Sequence, residues 1–144
     1  CFVALASLAW TAVGECQFTA RLYTTGSHTT IRLSASQWCV NVEPVNGFQI
    51  TDIDANSVYL WTNTYPIPGD VDRIFPINKT LVVGDRDGNG VQDVQFCFSN
   101  GDLNALFSNL HGQKPKSINL GLNGNLITGG WFHGEMTIDV YPKD

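Results

Sequence analysis

The chain has 144 residues, enough for one domain with a core of its own. Charged residues make up 15% of it, against roughly 25% in average soluble domains. With abundant glycine, asparagine and threonine, this excludes a coiled coil, a disordered tail and a collagen-like chain. Eight Lys and Arg against thirteen Asp and Glu leave a net charge of -5 and no basic stripe, which speaks against a nucleic-acid partner. Few long charged side chains and many short polar ones suit an exported β protein at the cell surface.

Residues Phe2 to Val13 form the most apolar run, too short to cross a bilayer as a helix. The run reads as the tail of a signal peptide with Ala12-Val13-Gly14 at the cleavage site. If it stays in the mature protein, it needs burial against something. Residues 1–15 are therefore set apart as an N-terminal extension, and 16–144 as the β domain.

From Cys16 onward, runs of period two alternate with turn residues. Strands are expected at Gln17–Tyr23, Thr29–Leu33, Gln37–Val42, Ser57–Thr62, Thr80–Val83, Gln92–Ser99 and Ser117–Leu122. A final pair, Leu126–Ile127 and Glu135–Tyr141, is expected to join across Thr128-Gly129-Gly130. Asp102–Leu110 interrupts the strands with an apolar stripe of Leu103, Leu106, Phe107 and Leu110, the spacing of an amphipathic helix. Asn100 is expected to cap it, and Gly112 lies past its end. The fold expected is all-β: a two-sheet, Ig-like or Greek-key sandwich with one short helix.

Cys1, Cys16, Cys39 and Cys97 lack the clustering of a zinc site and read as disulfides of an exported protein. Cys39 and Cys97 each sit between core-type residues, so each points to the opposite face of its strand. That matched parity makes Cys39–Cys97 the first choice among three connectivities. Cys1 and Cys16 would then pair with each other or across a subunit boundary.

Asp85-Arg86-Asp87-Gly88-Asn89-Gly90-Val91-Gln92-Asp93 is the sharpest motif. Side-chain oxygens fall at relative positions 1, 3, 5 and 9, the Val91 carbonyl at 7, and Gly90 at the sharp turn. This is the ligand spacing of an EF-hand-type Ca²⁺ loop. It departs from that pattern at position 12, where Phe96 replaces Glu, so Asp93 must close the site and the loop must join two strands. A polar β-turn without an ion is the alternative, but the acidic groups would then repel one another.

This motif and the upstream stretch Asp52-Ile53-Asp54-Ala55-Asn56-Ser57-Val58-Tyr59-Leu60 resemble a family of secreted microbial β-sandwich modules. Their pattern is an Asp-Ile-Asp strand entry, then D-x-D-G-N/D-G-x-x-D, an alternating strand, a short helix and a Gly-rich hairpin. The resemblance covers about residues 29–141. It implies a non-catalytic part of an exported surface protein. The N-terminal run lies outside it and resembles the donor strands by which fimbrial subunits complete a neighbour.

Asp52 and Asp54 read as backbone caps rather than cation ligands. Asp70 and Asp72 read as solvated loop residues bordering the ion. Asn78-Lys79-Thr80 is a glycosylation sequon, and Thr24–Thr30 could bear O-linked sugar. No nucleophile pairs with a base by spacing, so no enzyme activity is expected. Trp38 reads as core, whereas Trp61 and Trp131 are open as sugar platforms. The chain is expected to be a structural subunit that polymerises head to tail, donating its N-terminal segment through Phe2, Leu5, Leu8 and Trp10, with packing of that segment as the sandwich's own first strand as the rival. The alternative is a carbohydrate-binding or adhesion module, with glycans as partners.

Overall fold

The computed structural model describes residues 16–143, and the fold is mostly β. Strands β1 (Gln17–Tyr23), β2 (Thr30–Arg32), β3 (Gln37–Pro44), β4 (Tyr59–Thr62), β5 (Val82–Gly84) and β6 (Asp93–Ser99) precede helix α1 (Asn100–Leu106). A long hairpin of β7 (Lys116–Asn125) and β8 (Trp131–Tyr141) follows. Alternation places most of these strands because one side of each is apolar: Ile118, Leu120 and Leu122 on β7 meet Val40, Phe96, Phe132 and Val140 in a common core, to which β5 contributes no residue.

The strands form one curled sheet in the order β4-β7-β8-β1-β3-β6-β5, with β2 also pairing with β8. The curl turns on β1. Its residues Gln17 to Thr19 run parallel to Trp131 to His133 of β8, whereas Ala20 to Tyr23 run antiparallel to Asn41 to Pro44 of β3. Farther along β8, Asp139 to Tyr141 run parallel to β2. One edge, β4, is closed by a two-bond bridge between Leu60 and Ile74. The other edge is β5, which ends the strand order.

Three local expectations are corrected. Leu126–Ile127 is not a strand paired with Glu135–Tyr141. The hairpin closes earlier, with Asn125 opposite Trp131, because Leu126 N–H donates to the Gly130 carbonyl and Gly129 N–H to that of Leu126. The helix starts at Asn100 and ends at Leu106, yet Leu103, Leu106, Phe107 and Leu110 are all buried, so the stripe packs as its spacing requires. Its cap is Ser99, whose Oγ accepts from Asp102 N–H at 3.1 Å, not Asn100. Asn100 instead donates its side-chain amide to the Leu33 carbonyl at 2.7 Å, tying the helix to the end of β2.

Strand β3 is covered on both faces. Trp38, Val40 and Val42 enter the core, while Cys39, Asn41 and Glu43 on the opposite face are buried as well. Cys39 and Cys97 lie directly opposite on β3 and β6, with Cα atoms 4.0 Å apart, and are disulfide-bonded. Their N–H groups point away from each other, to His28 Nδ1 and Asn78 Oδ1, so the pair occupies a close, non-hydrogen-bonded ladder position.

Candidate metal centre

Strands β5 and β6 are joined by the loop 85–92, with Gly84 opposite Asp93 at its base. The loop is shaped by its own side chains. Asp85 accepts from Asn89 N–H at 3.2 Å through Oδ1 and from Gly90 N–H at 2.8 Å through Oδ2. Asn89 Oδ1 in turn accepts from Val91 N–H at 2.9 Å. Such side-chain-to-backbone bonds offer the chain an alternative to a ladder. Gly90 takes φ +85°, the left-handed turn that its motif position demands. The winding turns three carboxylates inward: ligand oxygens of Asp85, Asp87 and Asp93 all lie within 4.8 Å of one another.

The floor of this cluster is the outer face of β1 and β3. Asp93 is fully buried and accepts from the Tyr23 hydroxyl at 2.5 Å, from Arg86 N–H at 2.8 Å and from the Arg86 guanidinium. Arg21 bridges Glu43, at 2.9 Å, and Asp87. Glu43 is itself buried and accepts from Asn89 Nδ2 at 2.7 Å. Four carboxylates therefore face two guanidinium groups, leaving two negative charges uncompensated.

Ionisation follows from these contacts. Desolvation works to raise the Asp87 carboxyl, but the Arg21 hydrogen bond and that of the Asn89 backbone outweigh it and hold the group below its ordinary range. Tyr23 moves the other way. Its burial, then its hydrogen bond to Asp93 and the charges of Asp93, Asp87 and Glu43, push the phenol well above the usual tyrosine range. Arg21 is held protonated, above all by its hydrogen bond to Glu43. Tyr23 is thus a fixed neutral donor to a buried carboxylate.

The donor set fits a hard cation: three convergent carboxylates, oxygen donors throughout and a residual charge of two. Of the five ligands expected from spacing, Asp85, Asp87 and Asp93 come together. Asn89, whose Oδ1 accepts from Val91 N–H and whose Nδ2 donates to Glu43, and Val91, whose carbonyl is the expected donor, lie in the same loop. Arg21, Tyr23, Glu43 and Arg86 were not expected at the site. The alternation of β1 and β3 carries a signal for three of them, since Arg21, Tyr23 and Glu43 fall on the faces opposite the core residues.

The other expected residues lie elsewhere. Asp52 accepts from Gln49 N–H and Asp54 from Asn56 N–H, so both are caps. Asp70 N–H donates to the Ala105 carbonyl on helix α1 and to Ser108 Oγ just beyond it, and Asp72 pairs with Arg73; neither belongs to the triad. Asn78 lies beside the part of β6 that β5 does not reach. Its Oδ1 accepts from Cys97 N–H at 3.0 Å, and its Nδ2, the atom a glycan would take, donates to Gln95 and Thr80 carbonyls. Trp38 is core, 2% exposed, and donates to the His28 carbonyl. Cys16 is disulfide-bonded. Cys1, Phe2, Leu5, Leu8 and Trp10 lie outside the described residues.

Comparison of the chain with protein-family models, curated proteins and solved structures returned no match. Among the described residues, no helix is long and apolar enough to cross a membrane.

Proposed function

We propose that the protein is a non-catalytic extracellular structural subunit, stabilised by Ca²⁺ in the loop 85–93, that assembles head to tail by donating its N-terminal strand. The curled sheet is read as an Ig-like sandwich, β4-β7-β8 facing β3-β6-β5 with β1 shared between the layers. The observation that carries the reading is the position of the acidic triad at the base of the edge strand. Asp85 directly follows β5, and Asp93 opens the strand that β5 pairs with.

A cation that draws these carboxylates together stiffens the hairpin, and with it the edge that a further strand would extend. That edge is short and apolar: Val82 and Val83 are 44% and 43% exposed. Unpaired edges seek partners, and the opposite edge is already bridged by Ile74. One β5 carbonyl, that of Val82, is taken by Arg86. The occupant is the apolar segment Phe2–Val13 of a second copy, held by backbone pairing with Phe2, Leu5, Leu8 and Trp10 supplying side-chain contacts. Such a contact is heterologous and builds a filament. Calcium is preferred over magnesium because the loop follows the ligand spacing of a Ca²⁺ loop, whereas Mg²⁺ demands a near-ideal octahedron and keeps several waters.

Electron microscopy and size-exclusion chromatography of the full chain in Ca²⁺, in EGTA, and after deletion of residues 1–14 test the reading. Filaments are expected in Ca²⁺ alone. Filaments from the truncated chain would refute strand donation, and filaments undiminished in EGTA would refute the role given to the cation.

A further inference from the structure

The outer face of β4, β7 and β8 is built of aromatic, amide and acidic side chains. Its residues alternate with the core positions Leu60, Leu122 and Phe132, yet none of them is aliphatic. Aromatic rings are set there among amides and carboxylates. Trp61 and Trp131 are both half-buried, and their rings lie 5.8 and 6.4 Å from that of His133, which stands between them.

A single amide organises the group. Asn123 Oδ1 accepts from Trp61 Nε1–H at 3.0 Å and lies 2.6 Å from His133 Nδ1, while Asn123 Nδ2 donates to the Tyr59 hydroxyl at 3.3 Å. Gly121 lies under the indole of Trp61, and a Cβ there would come within 2.6 Å of the ring atoms. The ring therefore lies flat on the sheet, held by one hydrogen bond and by the absence of a side chain beneath it. Glu135, opposite Gly121, and Asn125, opposite Trp131, are exposed at the margins.

We propose that this face binds a neutral pyranose oligomer with equatorial hydroxyls, laid across the rings of Trp61 and Trp131. Sugars of this kind present flat C–H faces edged by hydroxyls. The first match large, rigid aromatic rings, and the second match an acceptor-only carboxylate and an amide that both donates and accepts. A protein partner would call instead for a centre depleted of charge, whereas Glu135 and Asp139 are exposed along β8 on this face. The charge is suited to a neutral ligand. Glu135 and Asp139 line β8, and the Arg73 guanidinium over the Tyr59 ring is paired with Asp72. The Trp61 ring is held before any ligand arrives, so little ordering of it is needed on binding. The proposal does not depend on filament assembly, since the face lies on strands remote from β5 in the sheet order.

The test is titration of ¹⁵N-labelled protein with hexamers of β-1,4-linked glucose and of β-1,4-linked N-acetylglucosamine, followed through the indole N–H signals. The Trp61 and Trp131 signals are expected to shift, while that of Trp38, buried and bonded to His28, stays fixed and reports that the fold is intact. Trp131→Ala is expected to weaken binding about tenfold or more. Trp61→Phe, which keeps a ring over Gly121, is expected to weaken it less. The proposal is overturned if neither hexamer moves the two signals, if binding survives Trp131→Ala unchanged, or if anionic polygalacturonate binds more tightly than both.

Discussion

Tyr23 on β1 donates its hydroxyl to Asp93 on β6 at 2.5 Å, although β3 lies between those strands. The contact spans the outer face of β3 diagonally, from the level of Asn41 to that of Glu43. With the loop 85–92 above it, this bridge accounts for the burial of Asn41 and Glu43, polar residues on a face that would otherwise be open to water. A local hairpin motif is thereby fastened to two distant strands.

In EGTA, Tyr23 is expected to ionise above the ordinary tyrosine range. Its folded pKa is raised over its unfolded value near 10, so the protonated phenol stabilises the fold fully below about pH 10. That contribution is lost as pH rises further. Phenolate absorbance should show a late transition that Tyr23→Phe lacks. Loss of this charge-assisted bond is expected to cost about 1.5–3 kcal/mol in urea unfolding. A Tyr23→Phe titration superimposable on that of the parent would contradict the assignment.

Calcium removal is expected to lower the melting temperature. At 100 times its Kd the ion contributes about 2.7 kcal/mol, or roughly 5–10 °C for a domain of this size. Asp87→Asn should abolish the difference between Ca²⁺ and EGTA while leaving Arg21 its contact with Glu43. Calorimetry in both buffers decides it, and an EGTA-insensitive parent protein would remove the site.

Asp93→Asn should behave differently. Its carboxylate is fully buried between Arg86 and Tyr23, so substitution leaves a guanidinium without its partner. A loss of about 3–5 kcal/mol is expected even in EGTA. Equal stabilities of Asp93→Asn and Asp87→Asn in EGTA would show that the buried contacts contribute little.

The disulfide closes a separation of 58 residues. In the chain-entropy account a loop of that length stabilises by about 4 kcal/mol. The double variant Cys39→Ala, Cys97→Ala should lower the denaturant midpoint accordingly, and non-reducing peptide mapping of the parent should recover the two peptides joined. Either peptide linked to another cysteine would refute the pairing.

Asn78→Ala should destabilise by about 1–3 kcal/mol, because it leaves Cys97 N–H and the Gln95 carbonyl without their side-chain partner. Faster amide exchange at Cys97 is the specific readout. Unchanged exchange there would assign the sequon asparagine no part in the sheet edge.

By itself the sequence determined what depends on neighbours within a few residues. Period-two alternation located the strands, since a side chain's face follows from its parity. The same parity paired Cys39 with Cys97, and the nine-residue spacing from Asp85 to Asp93 brought three carboxylates together in one loop. Caps were less legible: Ser99 and Asn100 are adjacent polar residues equally able to start a helix, and contact with Leu33 decides between them. Tertiary structure alone decided the rest. Alternation records which face is apolar and not which strand lies alongside, so the change of partner within β1 left no trace in the residue pattern. Arg21, Tyr23 and Glu43 reach the acidic loop only because the register of β1, β3 and β6 sets them beneath it, from more than forty residues away in the chain. Asn123, Trp61 and His133 meet for the same reason, through the pairing of β4, β7 and β8.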